Sequence, residues 1–140
     1  DNVGKILIEE STFGINNFSA YEQLQTKAES IKLSLLDFLV EKKKKNVSVA
    51  GYGAAAKANT ILNFAGIKSD LIDMIADKSK SKQELFMPGS HIPIVSPQKL
   101  AQSNIDDYII FPWNLYKEIS KSFKSKNLIT FIPEFKQSKC

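Results

Sequence analysis

The stretch Val47–Lys57, V-S-V-A-G-Y-G-A-A-A-K, constrains this chain more than any other. Val47, Val49 and Ala50 are small and apolar, and the two valines are β-branched. That predicts a strand over Val47–Gly51, buried on both faces. Gly51 and Gly53 follow, and Ala54-Ala55-Ala56 opens a helix that Gly66 stops near Ala65. The glycines fit G-x-G-x-x-A, with Ala56 in the last place. In that pattern the first glycine makes the tight turn and the second lets a phosphate approach the backbone. A small third residue lets helix and strand pack closely. The helix start then presents free N–H groups and a partial positive charge to an anion. The competing reading is a glycine turn used only for packing.

A chain of 140 residues with 43% hydrophobic content has room for one domain with a core of its own. No apolar run approaches the roughly 18 residues of a membrane helix, and no signal-peptide pattern is visible. Beginning at Asp1, with methionine only at Met74 and Met87, the chain reads as a piece of a longer protein. Cys140 is the only cysteine, which excludes an internal disulfide and fits a reducing cytoplasm. All 19 basic residues are lysines, although arginine is the usual residue for bidentate phosphate or base recognition. The run Lys42–Lys45 has no interleaved aromatics and no nucleic-acid motif around it, so it reads as a solvated helix end. No metal-ligand spacing occurs, and the single histidine has no nucleophile partner for a Ser-His-Asp set. Nucleic-acid binding, membrane insertion and metal or triad chemistry are not expected.

Residues 1–18 read as the remnant of an upstream element, with a break at Gly14 and Asn16-Asn17. An amphipathic helix of about 40 Å is predicted over residues 19–45. Its apolar stripe is Tyr21, Leu24, Ala28, Ile31, Leu35 and Leu39, and Ser19 with Glu22 forms a capping box. It reads as a connector packed on the domain that follows. Residues 46–133 form that domain. Its second strand ends at Asp77 and is followed by a long connection, Lys78–His91, containing Lys82. A short third strand, Ile92–Val95, is placed at an edge by Pro93. Ser96-Pro97 starts a short helix. Asp107–Phe111 is the fourth strand, Asn114 caps a helix over Leu115–Lys126, and Leu128–Ile132 is the fifth strand. Residues 134–140 read as a fraying tail. The fold class is α/β: a Rossmann-like, five-stranded parallel sheet of order 3-2-1-4-5 with helices on both faces. Its switch point lies between strands one and four, where Gly51–Ala54 faces Pro112-Trp113-Asn114 and the Asp77 loop adds a wall.

Each candidate residue has a functional and a structural reading. Lys57 is a cation one turn into a helix, against the dipole; it either reaches into water or is balanced by a bound anion. Asp77 lies about 26 residues past Gly51, where dinucleotide folds place an acid on a ribose; otherwise it caps its loop. His91 contacts phosphate, acts as acid or base, or ties down backbone. Trp113 stacks on a base or sugar, or packs against another domain. Tyr52 projects from the turn toward solvent.

Taken together, Gly51-Tyr52-Gly53-Ala54-Ala55-Ala56-Lys57-Ala58-Asn59-Thr60, Asp77, Met87-Pro88-Gly89-Ser90-His91-Ile92-Pro93 and Pro112-Trp113-Asn114 resemble the C-terminal domain of the sugar C-methyltransferases. The resemblance covers roughly Ser19–Pro133, and the last two blocks are more specific than the glycine turn. It departs at Ala55, where the family often has proline, and at Ser90, where threonine is common. The resemblance implies a parent protein with a zinc-binding N-terminal domain, a middle domain holding S-adenosylmethionine, and this Rossmann-like domain. It implies that this domain helps hold a nucleotide-linked deoxysugar and does not carry the methyl donor. The expected substrate-binding set is Gly51, Tyr52, Gly53, Ala54, Lys57, Asp77, Lys82, His91, Trp113 and Asn114, with no catalytic residue. The upstream S-adenosylmethionine-binding domain is the expected partner. Two alternatives stay open: an NAD-type dinucleotide domain, and a structural module that docks on a catalytic domain.

Overall fold

A computed structural model describes residues 1–139. The chain divides into two compact units, Asp1–Ser30 and Ile31–Cys140. In the first unit, helix α1 (Asn2–Phe13) starts at Asp1, whose side chain accepts from the Val3 N–H, and stops at Gly14 in the left-handed conformation. The break expected at Gly14 is thus a helix C-cap, and the element before it is a full helix. A 3₁₀ turn at Phe18–Ala20 follows, and helix α2 (Leu24–Lys44) begins at Leu24 rather than Ser19. Successive i→i+3 bonds from Asn17 to Tyr21 and the Tyr21 Oη bond to the Ile15 carbonyl hold this segment in turns. Ser19 and Glu22 therefore do not cap α2.

In the second unit, the α2 residues from Ile31 onward bury Leu35, Phe38 and Leu39. Burying each such side chain is worth ~1.5–3 kcal/mol. The lysine run is not wholly solvated: Lys42 forms a 2.8 Å ion pair with buried Asp107 and lies over the Phe38 ring. The strands are β1 (Val49–Tyr52), β2 (Met74–Ala76), β3 (Ile94–Val95), β4 (Asp107–Ile110), β5 (Asn127–Thr130) and β6 (Lys136–Lys139). They form one sheet of order β3-β2-β1-β4-β5-β6. The first five are parallel and stand in the expected order. The sixth, antiparallel to β5, corrects the all-parallel expectation and the fraying tail. An edge strand needs only one paired side, so its polar composition is compatible with a strand. Phe135, packed on Phe38 and Phe131, fastens the return. Cys140 lies outside the described residues.

Alternation along the strands sends side chains into two layers. Val49, Ile75, Ile109, Phe111, Ile129 and Phe131 meet α2 and helix α3 (Ala56–Ala65) on one face. Ala50, Tyr52, Ala76, Tyr108, Ile110 and Leu128 meet Leu100, Ile119 and Phe123 on the other. Leu100 belongs to α4 (Pro97–Ala101), capped by the Ser96 hydroxyl as expected. Ile119 ends α5 (Tyr116–Ile119), which is much shorter than the helix predicted over Leu115–Lys126. That segment is 3₁₀ at Trp113–Leu115 and Ser120–Ser122 on either side of α5. Ser120 bonds back to the Lys117 carbonyl and Ser125 takes a positive φ of 66°, so serine chemistry competes with the helix.

Candidate functional site

The carboxyl ends of β1 and β4 meet at the turn Gly53–Ala55, before α3. Gly53 has φ +92°, and a Cβ there would lie 2.6 Å from Pro112 Cδ. Gly51 lies within β1 rather than in the turn, and a Cβ there would meet the Phe111 ring at 2.6 Å and Ile75 at 2.9 Å. Both glycines therefore serve packing: one seats Phe111 over β1, the other lets the Pro112 strand end close against the turn. Tyr52 does not project toward solvent. It is buried in β1, edge-on to Phe123 at 5.0 Å, and burial, with the Asp77 carboxylate next, pushes its hydroxyl pKa up.

The start of α3 is uncapped by any side chain, because its N-cap is Ala55. Its free N–H groups sit between two lysines. On one side the Lys57 ammonium donates to Asn114 Oδ1 at 2.7 Å and lies 4.5 Å from the Trp113 ring centre. Asn114 is thus a partner of Lys57 and not the cap of the following helix. On the other side the Lys82 ammonium donates to the Ala54 carbonyl at 2.8 Å and reaches Asp77 Oδ2 at 3.4 Å. Asp77 Oδ1 accepts from the Ser79 N–H, and Gln83 donates to the Asp77 carbonyl. The Asp77 loop thereby sets Lys82 against the turn before α3.

The rest of the Lys78–His91 connection folds as an arm that sequence reading leaves as a loop. Glu84 and Ile94, Leu85 and Ile94, and Met87 and Ile92 share backbone hydrogen bonds, and Phe86 bridges Pro93 antiparallel. At its tip Gly89 has φ +77° and presses on Asn63 of α3, whose amide donates to the Pro88 carbonyl. His91, exposed and at φ 56°, donates its backbone N–H to the Met87 carbonyl. Ser90 is buried, with its hydroxyl unpartnered. Between this arm and the start of α3 lies a cleft of about 380 Å³, lined by Ala55, Asn59, Lys82, Leu85, Phe86 and Pro88 among others. A second cleft, of about 680 Å³, opens beyond Trp113 and Asn114 toward β5 and β6.

The expected set is therefore divided. Ala54 and Lys82 line the first cleft, with Asp77 holding Lys82 in place, while Trp113 and Asn114 line the second. Lys57 stands by the second on its Trp113 and Asn114 contacts, and Gly53 joins the two at the turn. Gly51 and Tyr52 lie in the core, and His91 lies at the arm tip. Sequence reading missed Asn59, Leu85 and Phe86 in the first cleft and Tyr116, Thr130 and Gln137 in the second. The one sequence signal for the arm is two short apolar runs, Leu85-Phe86-Met87 and Ile92-Pro93-Ile94, on either side of the turn residues Pro88-Gly89.

Among the described residues no His/Cys/Asp/Glu group can hold a metal ion, and no helix is long and apolar enough to cross a membrane. Comparison with known proteins gives a match to the C-methyltransferase C-terminal domain over residues 1–133. The chain is also similar to "C-methyltransferase NovU" of Streptomyces niveus, with 31% identity over 117 residues, 84% of this chain. It spans 28% of that relative's length. On these two matches, this chain belongs to the C-methyltransferase C-terminal domain family.

Proposed function

We propose that this domain binds a nucleotide-linked sugar for a C-methyltransferase whose S-adenosylmethionine site lies on an upstream domain of the same protein, in the cytoplasm. The observation that carries the reading is the pair of ammonium groups, Lys57 and Lys82, flanking an uncapped helix start at the sheet's switch point. A diphosphate placed there meets the α3 N–H groups and two cations. Lys57 is held by a neutral oxygen and a ring, those of Asn114 and Trp113, and Lys82 by the Ala54 carbonyl at 2.8 Å and the Asp77 carboxylate at a longer 3.4 Å. A dianion competes well against such partners. The domain itself contributes binding and orientation, and the methyl transfer belongs to the donor-bearing part of the protein.

The NAD-type alternative is weaker on one count: Asp77, the acid such a fold would use on ribose hydroxyls, already accepts from Ser79 and Lys82.

Calorimetric titration with uridine and thymidine diphosphates tests the reading. Binding is expected to be modest and to weaken with salt. Lys57→Ala and Lys82→Ala should each weaken it about threefold to tenfold without unfolding the domain. Affinity that neither substitution changes, or that salt leaves constant, would remove the diphosphate from this turn.

A further inference from the structure

The arm tip and the Asn63 side chain play no part in the diphosphate reading, and they meet on α3. The Asn63 amide N–H groups donate to three oxygens: the Asn59 carbonyl at 2.8 Å, Asn59 Oδ1 at 3.1 Å and the Pro88 carbonyl at 3.0 Å. Gly89 is shaped to the same side chain, since a Cβ there would lie 2.1 Å from Asn63 Oδ1. Asn63 thus pins the arm tip and fixes the amide of Asn59, one helical turn before it. Asn59 is half-buried and lines the arm cleft. With its Oδ1 turned to Asn63, the N–H₂ end of its amide is the one left for the cleft.

That cleft, of about 380 Å³, is in the size range of small-molecule sites and runs on from the start of α3 through Ala54–Ala56. Apart from Lys82, which the Ala54 carbonyl and Asp77 hold at the turn, the side chains facing Asn59 are apolar: Leu85, Phe86, Pro88 and Ile94 among them. An apolar wall with one oriented neutral donor suits a saturated ring that lays C–H groups on the wall and one oxygen on the donor. From this network we propose that Asn59 is a specificity-determining contact, donating to an oxygen of the sugar that the diphosphate carries. Asn63 is a positioning residue that keeps the Asn59 amide in its donating orientation and the arm tip in place. The inference rests on the diphosphate reading above and adds the residues that tell a sugar-bearing nucleotide from a bare one.

The chain is titrated calorimetrically with thymidine diphosphate, thymidine diphosphate glucose and thymidine diphosphate rhamnose. At least one sugar conjugate is expected to bind about fivefold more tightly than the bare diphosphate. Asn59→Ala should bring the conjugates down to the affinity of the bare diphosphate. Asn63→Asp keeps the shape but has no N–H₂ to donate, so it should turn the Asn59 amide over and remove the same gain. In an Asn59→Ala background Asn63→Asp should then cost nothing further, whereas a merely structural Asn63 would cost the same in both backgrounds. Asn63→Ala repeats the positioning test if the aspartate variant folds poorly. Conjugates that bind no better than thymidine diphosphate, or a gain that survives Asn59→Ala, would overturn the Asn59 contact and leave the diphosphate site standing. A bare diphosphate weakened by Asn59→Ala as much as the conjugates would put another part of the ligand at Asn59 and overturn the sugar contact. Absence of binding by all three probes would overturn both readings.

Discussion

The Gly53–Pro112 junction, whose turn runs on into Ala54–Ala56, and the Glu84–Ile94 arm stand on two sides of the same cleft, yet they are built by opposite means. The junction is set by close packing: a positive-φ glycine under Pro112, a second glycine under Phe111, and Ala54 and Ala58 buried below. The arm is set by backbone hydrogen bonds and anchored by Met87 and Ile92 in the core, and it leaves Leu85 and Phe86 more than half exposed. One side is packed all round, and the other carries two exposed apolar side chains, Leu85 and Phe86, on a buried base. That division places the charge-bearing turn on the closely packed part and the apolar wall on the exposed part.

The sharpest test of the rigid side is Gly53→Val. It forces a β-branched residue to positive φ and drives Cβ into Pro112, so a loss of about 3 kcal/mol or more is expected in urea unfolding. Pro112→Ala in a Gly53→Ala background should recover part of the smaller loss, because the steric component goes and the backbone strain stays. No recovery would mean that the closeness of Pro112 is not what requires glycine. Gly51→Ala, with no φ constraint but the Phe111 ring at 2.6 Å, should cost about 1–3 kcal/mol.

This contrast also explains what the sequence makes legible. The strand order, the edge position of the Pro93 strand, the Ser96 cap and the facing of the glycine turn toward Pro112-Trp113-Asn114 all follow from local patterns with one physical meaning. The roles of Gly51 and Tyr52 do not, because G-x-G states only that side chains are absent, and Phe111 decides what fills the space. Strand β6 was hidden by its polar sequence, and the arm by its proline and glycine content. Thr130 was hidden because a lone threonine in a β-rich stretch carries no signal until the β5–β6 return encloses it. The long helix was over-extended because Tyr21 fits its stripe, whereas its hydroxyl bonds the Ile15 carbonyl and its segment stays in turns ahead of Leu24.

On the adaptable side, Gly89→Ala places Cβ 2.1 Å from the Asn63 amide oxygen at φ +77°. An expected loss of about 1–2 kcal/mol combines left-handed strain with displacement of the Asn63 bond to Pro88. Hydrogen exchange should show the arm amides of Glu84, Met87 and Ile94 opening well below the global unfolding energy, and opening further in this variant. Arm amides protected as strongly as those of β1 and β4 would erase the distinction between the two sides.

The smallest expected effect joins the rigid side to the Asp77 loop through Tyr52. Burial, with Asp77 and then Glu118 adding negative charge nearby, holds its hydroxyl pKa above the ordinary value near 10. For an acid whose folded pKa is raised, the unfolded chain ionises first. Above pH ~10 the unfolded state therefore binds fewer protons than the folded one, and stability falls as pH rises through the interval up to the folded pKa. Below pH ~10 Tyr52 contributes no slope. Urea unfolding from pH 8 to 11 should show Tyr52→Phe losing less stability than the parent across the alkaline part of the range. Asp77→Asn should shift the alkaline fall only slightly, because burial is the larger cause and the Asp77 charge the smaller. An alkaline fall identical in the parent and Tyr52→Phe would show that Tyr52 reaches water on the experimental timescale. The core side of the junction would then open as readily as the arm.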